Sequence, residues 1–157
     1  MTTALVSGLK RMQGNDISEF ASIAQGVVFD GLLASPPEGG RAFLESVQRR
    51  RNNWDAVIRM WEPNDMPLKA LSDCVNRLGL GTDVYTFTHP DAVDAIDRWL
   101  IRKGINCPVY YYESPEMLEY DLRFQRAVRI IYTSDEEIAR TLGIRSTVVS
   151  PDKAWTP

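Results

Sequence analysis

Gln25-Gly26-Val27-Val28-Phe29-Asp30-Gly31-Leu32-Leu33-Ala34-Ser35-Pro36-Pro37 is the stretch whose reading decides the fold. Its apolar run, Gly26 to Phe29, stops at Asp30-Gly31 and resumes as Leu32-Leu33-Ala34. A short continuous apolar run bounded by turn residues reads as a strand buried on both faces. The stretch predicts such a strand over Val27–Leu33, whose end delivers one carboxylate, Asp30, into a tight turn. Asp-Gly is also an ordinary way to end a strand.

The rest of the chain must supply that strand with neighbours. At 157 residues it is long enough for one domain with a substantial core. Hydrophobic residues at 44% and charged residues at 25% are average for a soluble globular protein and indicate neither global disorder nor a membrane-embedded chain. A net charge of −3 argues against a nucleic-acid partner. The densest basic spots, Lys10-Arg11 and Arg49-Arg50-Arg51, fall at ends of predicted helices, where cations suit the dipole. Cys74 and Cys107 lack metal-ligand spacing, and His89, the only histidine, cannot complete a zinc site. Two free thiols fit a reducing compartment. No stretch is long enough to span a bilayer and no signal-peptide core opens the chain, so a cytoplasmic location without membrane partners is expected.

Outward from the opening stretch, residues 1–25 read as an amphipathic helical extension. Leu5, Leu9 and Met12 share one face, and Ile17, Phe20 and Ala24 share another. Residues 26–157 alternate strand and helix. The strands are expected at Val27–Leu33, Ala56–Trp61, Asp83–Thr88, Val109–Glu113, Val128–Tyr132 and Thr147–Ser150. The helices are expected at Gly39–Arg51, Pro67–Leu78, Pro90–Lys103, Pro115–Arg126 and Ser134–Leu142. This alternation predicts an α/β fold with a doubly wound, mostly parallel sheet. Val27–Phe29 should be central, between Asp83–Thr88 and Val128–Tyr132. Gly79, Gly104 and Gly143 read as helix stops. Ser35-x-x-Glu38, Thr88-x-x-Asp91 and Ser134-x-x-Glu137 have capping-box spacing, and Thr88 alone reads as a helix cap.

In such sheets ligands bind beyond the carboxyl ends of the strands. Those ends are expected to hold Asp30, Trp61-Glu62, Thr86-Phe87-Thr88-His89, Glu113-Ser114 and Thr133-Ser134-Asp135. Phe29-Asp30-Gly31 resembles the first motif of the haloacid-dehalogenase-like (HAD) phosphohydrolases, hydrophobic-Asp-x-Asp-Gly-Thr-Leu. The resemblance runs in outline over residues 26–150. It places Asp30 at the family's acid/base position, Val28 at the nucleophile position and Leu32 where the motif has Thr. The stretch Asp83–Thr88, with Thr86 as the closer match, resembles the second motif, whose Thr or Ser bonds phosphate. Tyr110–Met117 has the form of the third motif without its Lys; Arg123 and Arg126 are the nearby cations. Val128–Ala139 resembles the fourth motif, with Thr133 and Ser134 standing for its two Asp residues and Asp135 one place later. A second register is open, in which Gly40–Trp61 is the second motif's strand and His89-Pro90-Asp91-Ala92 and Ile96-Asp97-Arg98 match later segments.

The resemblance implies the family's fold with a degenerate catalytic apparatus, because a valine can neither attack phosphorus nor bind Mg²⁺. Two functions follow. The first is binding to a protein partner, or self-association, with the extension and Trp155 as candidate docking surfaces and no cofactor required. The alternative is a divergent phosphatase or nucleotidase. It would use Asp30 as acid/base, Thr86, Thr88 and His89 at the phosphate, and Mg²⁺ held weakly by Asp30 and Asp135.

Overall fold

A computed structural model of the chain describes residues 24–37, 53–124 and 128–156. In chain order its strands are β1 (Gln25–Val28), β2 (Ala34–Ser35), β3 (Glu62–Pro63), β4 (Thr82–Thr86), β5 (Val109–Tyr111), β6 (Ile130–Thr133) and β7 (Ser146–Val148). Its α-helices are α1 (Trp54–Arg59), α2 (Asp65–Ser72), α3 (Val93–Arg102), α4 (Pro115–Phe124) and α5 (Glu136–Leu142). Five of the strands form one parallel sheet in the order β5-β4-β1-β6-β7, and β2 and β3 pair antiparallel as a separate ribbon. The chain lays strands first to one side of β1 and then to the other. This is the Rossmann-like order, with a switch point between β1 and β6.

The central place of β1 follows from its composition. Val27 and Phe29 enter one core with Trp54 and Ile58 of α1, Leu71 of α2 and Trp99 of α3. Val28 enters the other with Tyr85, Tyr110, Leu118 and Leu122 of α4 and Leu142 of α5. All three β1-segment side chains are fully buried. A strand with helices on both faces cannot alternate apolar and polar residues, so its sequence reads as a continuous apolar run. In register, Val27 stands opposite Val84 and Tyr132, and Val28 opposite Tyr85.

Gly26 has a specific reason to be glycine. A Cβ there would lie 2.4 Å from a ring carbon of Tyr85. Gly26→Ala is expected to cost about 1–3 kcal/mol by overpacking the centre of the sheet. Urea denaturation checks this. The penalty should shrink in a Tyr85→Val background, which makes room for the new methyl group.

Several expected elements differ. The strand expected at Ala56–Trp61 is helix α1. Its buried residues, Trp54, Val57 and Ile58, sit at helical spacing, and Asn53 caps it by accepting from the Ala56 amide at 3.3 Å. The β-branched pair Val57-Ile58 suggested a strand, but burial of this stripe against α3 decides for helix. The second register loses its strand with it. The helix expected to start at Ser134 is capped instead by Asp135, whose Oδ1 accepts from the Glu137 and Ile138 amides. The cap expected at Thr88 is His89, whose Nδ1 accepts from the Asp91 amide at 3.1 Å. Gly79, Gly104 and Gly143 follow helices with φ of 63°, 78° and 81°, as helix stops do.

Most of the expected extension 1–25, and the expected helix Gly39–Arg51 with its Ser35-x-x-Glu38 cap, lie outside the described residues; Gln25 already belongs to β1. Trp155, expected as a docking residue, is only 8% exposed and stacks on Tyr132 at 4.9 Å. It completes the first core rather than offering a surface. No α-helix among the described residues is long and apolar enough to cross a membrane.

Candidate functional site

The carboxyl ends of β1, β4 and β6 come together around Asp30. Phe29 still follows the strand path, its amide donating to the Tyr85 carbonyl at 2.8 Å. The chain then turns through Gly31 at φ +83°, and its amide donates to the Ala34 carbonyl at 2.9 Å. This turn needs glycine twice over. The φ is left-handed, and a Cβ would stand 3.0 Å from Ser134 Oγ. The loops after β1 and β6, which border the switch point, therefore meet closely.

The Asp30 carboxylate points across to the loop after β4. Thr86 Oγ1 donates to one oxygen at 2.7 Å. The Phe87 amide at 3.1 Å and Thr88 Oγ1 at 3.0 Å donate to the other. Thr86 also accepts from the Thr88 amide at 3.2 Å, which closes the loop on itself. Thr86 and Thr88, expected at a phosphate, thus spend their donors on Asp30. Burial pushes the Asp30 carboxyl above the ordinary aspartate value of 3.8, and these hydrogen bonds oppose that shift without cancelling it.

The sign of the resulting pH dependence follows. A raised value means that the folded chain holds the proton more tightly than the unfolded chain does. Stability should therefore fall as pH rises from 3.8 through the folded value, and no further contribution should accrue above it. Urea denaturation across that window should show this slope in the wild type and lose it in Asp30→Asn. Parallel stability curves for the two proteins would contradict it.

The other expected residues are placed differently. His89 lies beside the loop, its ring stacked on Trp54 with centroids 5.0 Å apart and 19° between planes. Thr133 is fully buried, and its hydroxyl accepts from the Asp135 amide at 3.1 Å. Asp135, expected beside Asp30 at a metal, is exposed and uses its carboxylate as the cap of α5. Among the described residues no group of three or more His, Cys, Asp and Glu side chains could hold a metal ion. Glu62 belongs to the exposed ribbon strand β3, and Glu113 is exposed. Arg123 is paired with Glu119 on the outer face of α4, and Arg126 is outside the described residues. Cys74 and Cys107 are both buried.

Sequence reasoning missed Asn64. Its Nδ2 donates to the Leu32 carbonyl at 2.9 Å, the Gly31 carbonyl at 3.2 Å and Ser35 Oγ at 3.2 Å. Its amide donates to the Leu33 carbonyl at 3.0 Å. One side chain, from the residue between β3 and α2, thereby holds the turn that follows Asp30. Nothing local marks it, because its partners lie 29 to 33 residues away. The Phe87 amide was missed for the same reason: a backbone donor carries no sequence signature.

Comparison of the chain with protein-family models, with curated proteins and with solved structures gives no match. The chemistry of the site therefore rests on its own geometry. One inward carboxylate, three donors closing on it and, among the described residues, no second carboxylate converging on it make an interaction that fastens two loops together.

Proposed function

We propose that this chain is a HAD-like domain whose catalytic apparatus has lapsed, and that it acts by binding a protein partner or by self-association. The observation that carries the reading is the state of Asp30. Its carboxylate is occupied by Thr86, Phe87 and Thr88, so the acid/base position of the resemblance serves as a structural bond. Val28, at the nucleophile position, belongs to the core formed with Tyr85 and Tyr110. A phosphoryl-transfer site of this kind needs a nucleophile and charge stabilisation at the phosphate. The residues at these positions offer neither. For a binding role, α4 presents Tyr120 and Phe124, 57% and 70% exposed and in mutual ring contact at 5.0 Å. Paired exposed aromatics suit a protein interface.

One observation favours the alternative, a divergent phosphatase with Asp30 as acid/base. Burial moves the Asp30 carboxyl in the direction a general acid requires. An aryl-phosphate assay with Mg²⁺ separates the two. The expected result is no turnover above the uncatalysed background. Clear turnover abolished by Asp30→Asn, in a protein that remains folded, would overturn the binding reading. Light scattering of the wild type against Phe124→Ser tests self-association directly, with a fall to monomer mass expected if α4 forms the contact.

A further inference from the structure

The outer face of α4 carries its charges in a fixed order. Leu118, Asp121 and Leu122 are the residues the helix buries. At 3.6 residues per turn the opposite face presents Glu116, Glu119, Tyr120, Arg123 and Phe124. Tyr120 and Phe124, one turn apart, form the exposed aromatic pair. On one flank of that pair Glu119 and Arg123, also one turn apart, form an ion pair along the helix, and the Arg123 side chain is 61% exposed. Acid thus lies toward the start of this face and base toward its end, beside a continuous aromatic stripe.

We infer that α4 is the contact of a homodimer, in which two copies of the chain pack antiparallel across a two-fold axis. The reason is that this face is complementary to itself under one operation. An axis level with the midpoint between Glu119 and Arg123, lying in the interface and perpendicular to both helices, reverses the helix direction and keeps each flank on its own side. Glu119 of each copy then faces Arg123 of the other, and the two aromatic stripes meet along the opposite flank. Such an isologous contact closes at two copies. A parallel pairing in register would set Glu119 against Glu119 and Arg123 against Arg123. The aromatic rings supply most of the affinity, and the exposed charges set the orientation. The inference rests on the binding reading above and commits it to one partner, a second copy of this chain.

Sedimentation of the full chain, with charge swaps at the two positions, tests it. The wild type should be a dimer. Glu119→Lys and Arg123→Glu each put like charges across the axis at both contacts, and each should raise the dimer dissociation constant about three- to tenfold. Mixing the two variants is the decisive measurement. In a mixed dimer the two substituted positions face each other and the two native residues face each other, so opposite charges meet at both contacts. The mixture should dimerise about as tightly as the wild type. Mixing cannot repair the lost ion pair within either helix, so recovery reports on the contact between copies alone. A monomeric wild type overturns the inference. So does a dimer that neither variant weakens, or a mixture no more associated than its two components. Each of these results leaves the binding reading standing with another partner or another face. That reading falls separately, to phosphatase turnover that Asp30→Asn abolishes.

Discussion

Val28→Asp should destabilise the domain by about 4–5 kcal/mol or more, and should not create a phosphatase. On the proposed HAD-like alignment, this substitution would put a carboxylate at the motif's nucleophile position. The fold gives it another outcome. Val28 is fully buried among Tyr85, Tyr110 and Leu118, beneath α4. A carboxylate there loses its hydration, and no cation among the residues of that cluster compensates it. Domains of this size are stable by only about 5–15 kcal/mol, so the change consumes a large part of the total. Part of the loss should return on acidification. The introduced carboxyl would have a raised pKa, so the folded state would gain relative stability as pH falls through it. Urea denaturation at neutral and mildly acidic pH measures both effects. A variant as stable as the wild type, with Mg²⁺-dependent turnover, would mean that Val28 borders a working site and that the core assignment is wrong.

Trp99→Ala should cost about 3–5 kcal/mol. Trp99 is 5% exposed on the inner face of α3 and meets Phe29 edge-on, with ring centroids 5.4 Å apart at 88°. The Lys103 ammonium lies 4.6 Å over its ring. Phe29 also meets the Trp61 ring, so the indole of Trp99 is part of an aromatic cluster that supports the central strand segment. Truncation removes a large apolar surface and leaves a cavity between helix and sheet that rigid neighbours cannot fill. At roughly 2–4 °C per kcal/mol for a chain of this length, the melting temperature should fall by about 6–20 °C. A loss under about 1 kcal/mol would place the ring on the surface.

The sheet was legible because its signals are local. Gly26–Phe29 must be apolar throughout to lie between two helical layers, and Val84 and Val109 belong to short runs bounded by turn residues. Gly79, Gly104 and Gly143 mark helix ends for a reason that belongs to each residue alone, the freedom to take a left-handed φ. Expectation failed where two local readings compete. Val57-Ile58 fits a strand by propensity and a helix by spacing. Ser134 and Asp135 can each cap α5, as Thr88 and His89 can each cap the turn before α3. Packing chose between them: Trp54, Val57 and Ile58 bury one stripe, and Ser134 Oγ sits beside the turn at Gly31 while Asp135 takes the helix cap.

By itself the sequence determined the α/β class, the central position of β1 and the delivery of Asp30 to a turn at its end, because periodicity and turn chemistry act within a few residues. It also determined that position 28 carries no nucleophile. Only the tertiary structure decided what Asp30 does. Its partners, Thr86, Phe87 and Thr88, lie 56 to 58 residues away, and the side chain that holds its turn, Asn64, comes from the junction of β3 and α2, 29 to 33 residues from the groups it bonds. A carboxylate at a strand end suits catalysis and cross-linking equally well. The difference lies in which donors the fold brings within about 3 Å of it, and sheet order sets that, not the residue itself.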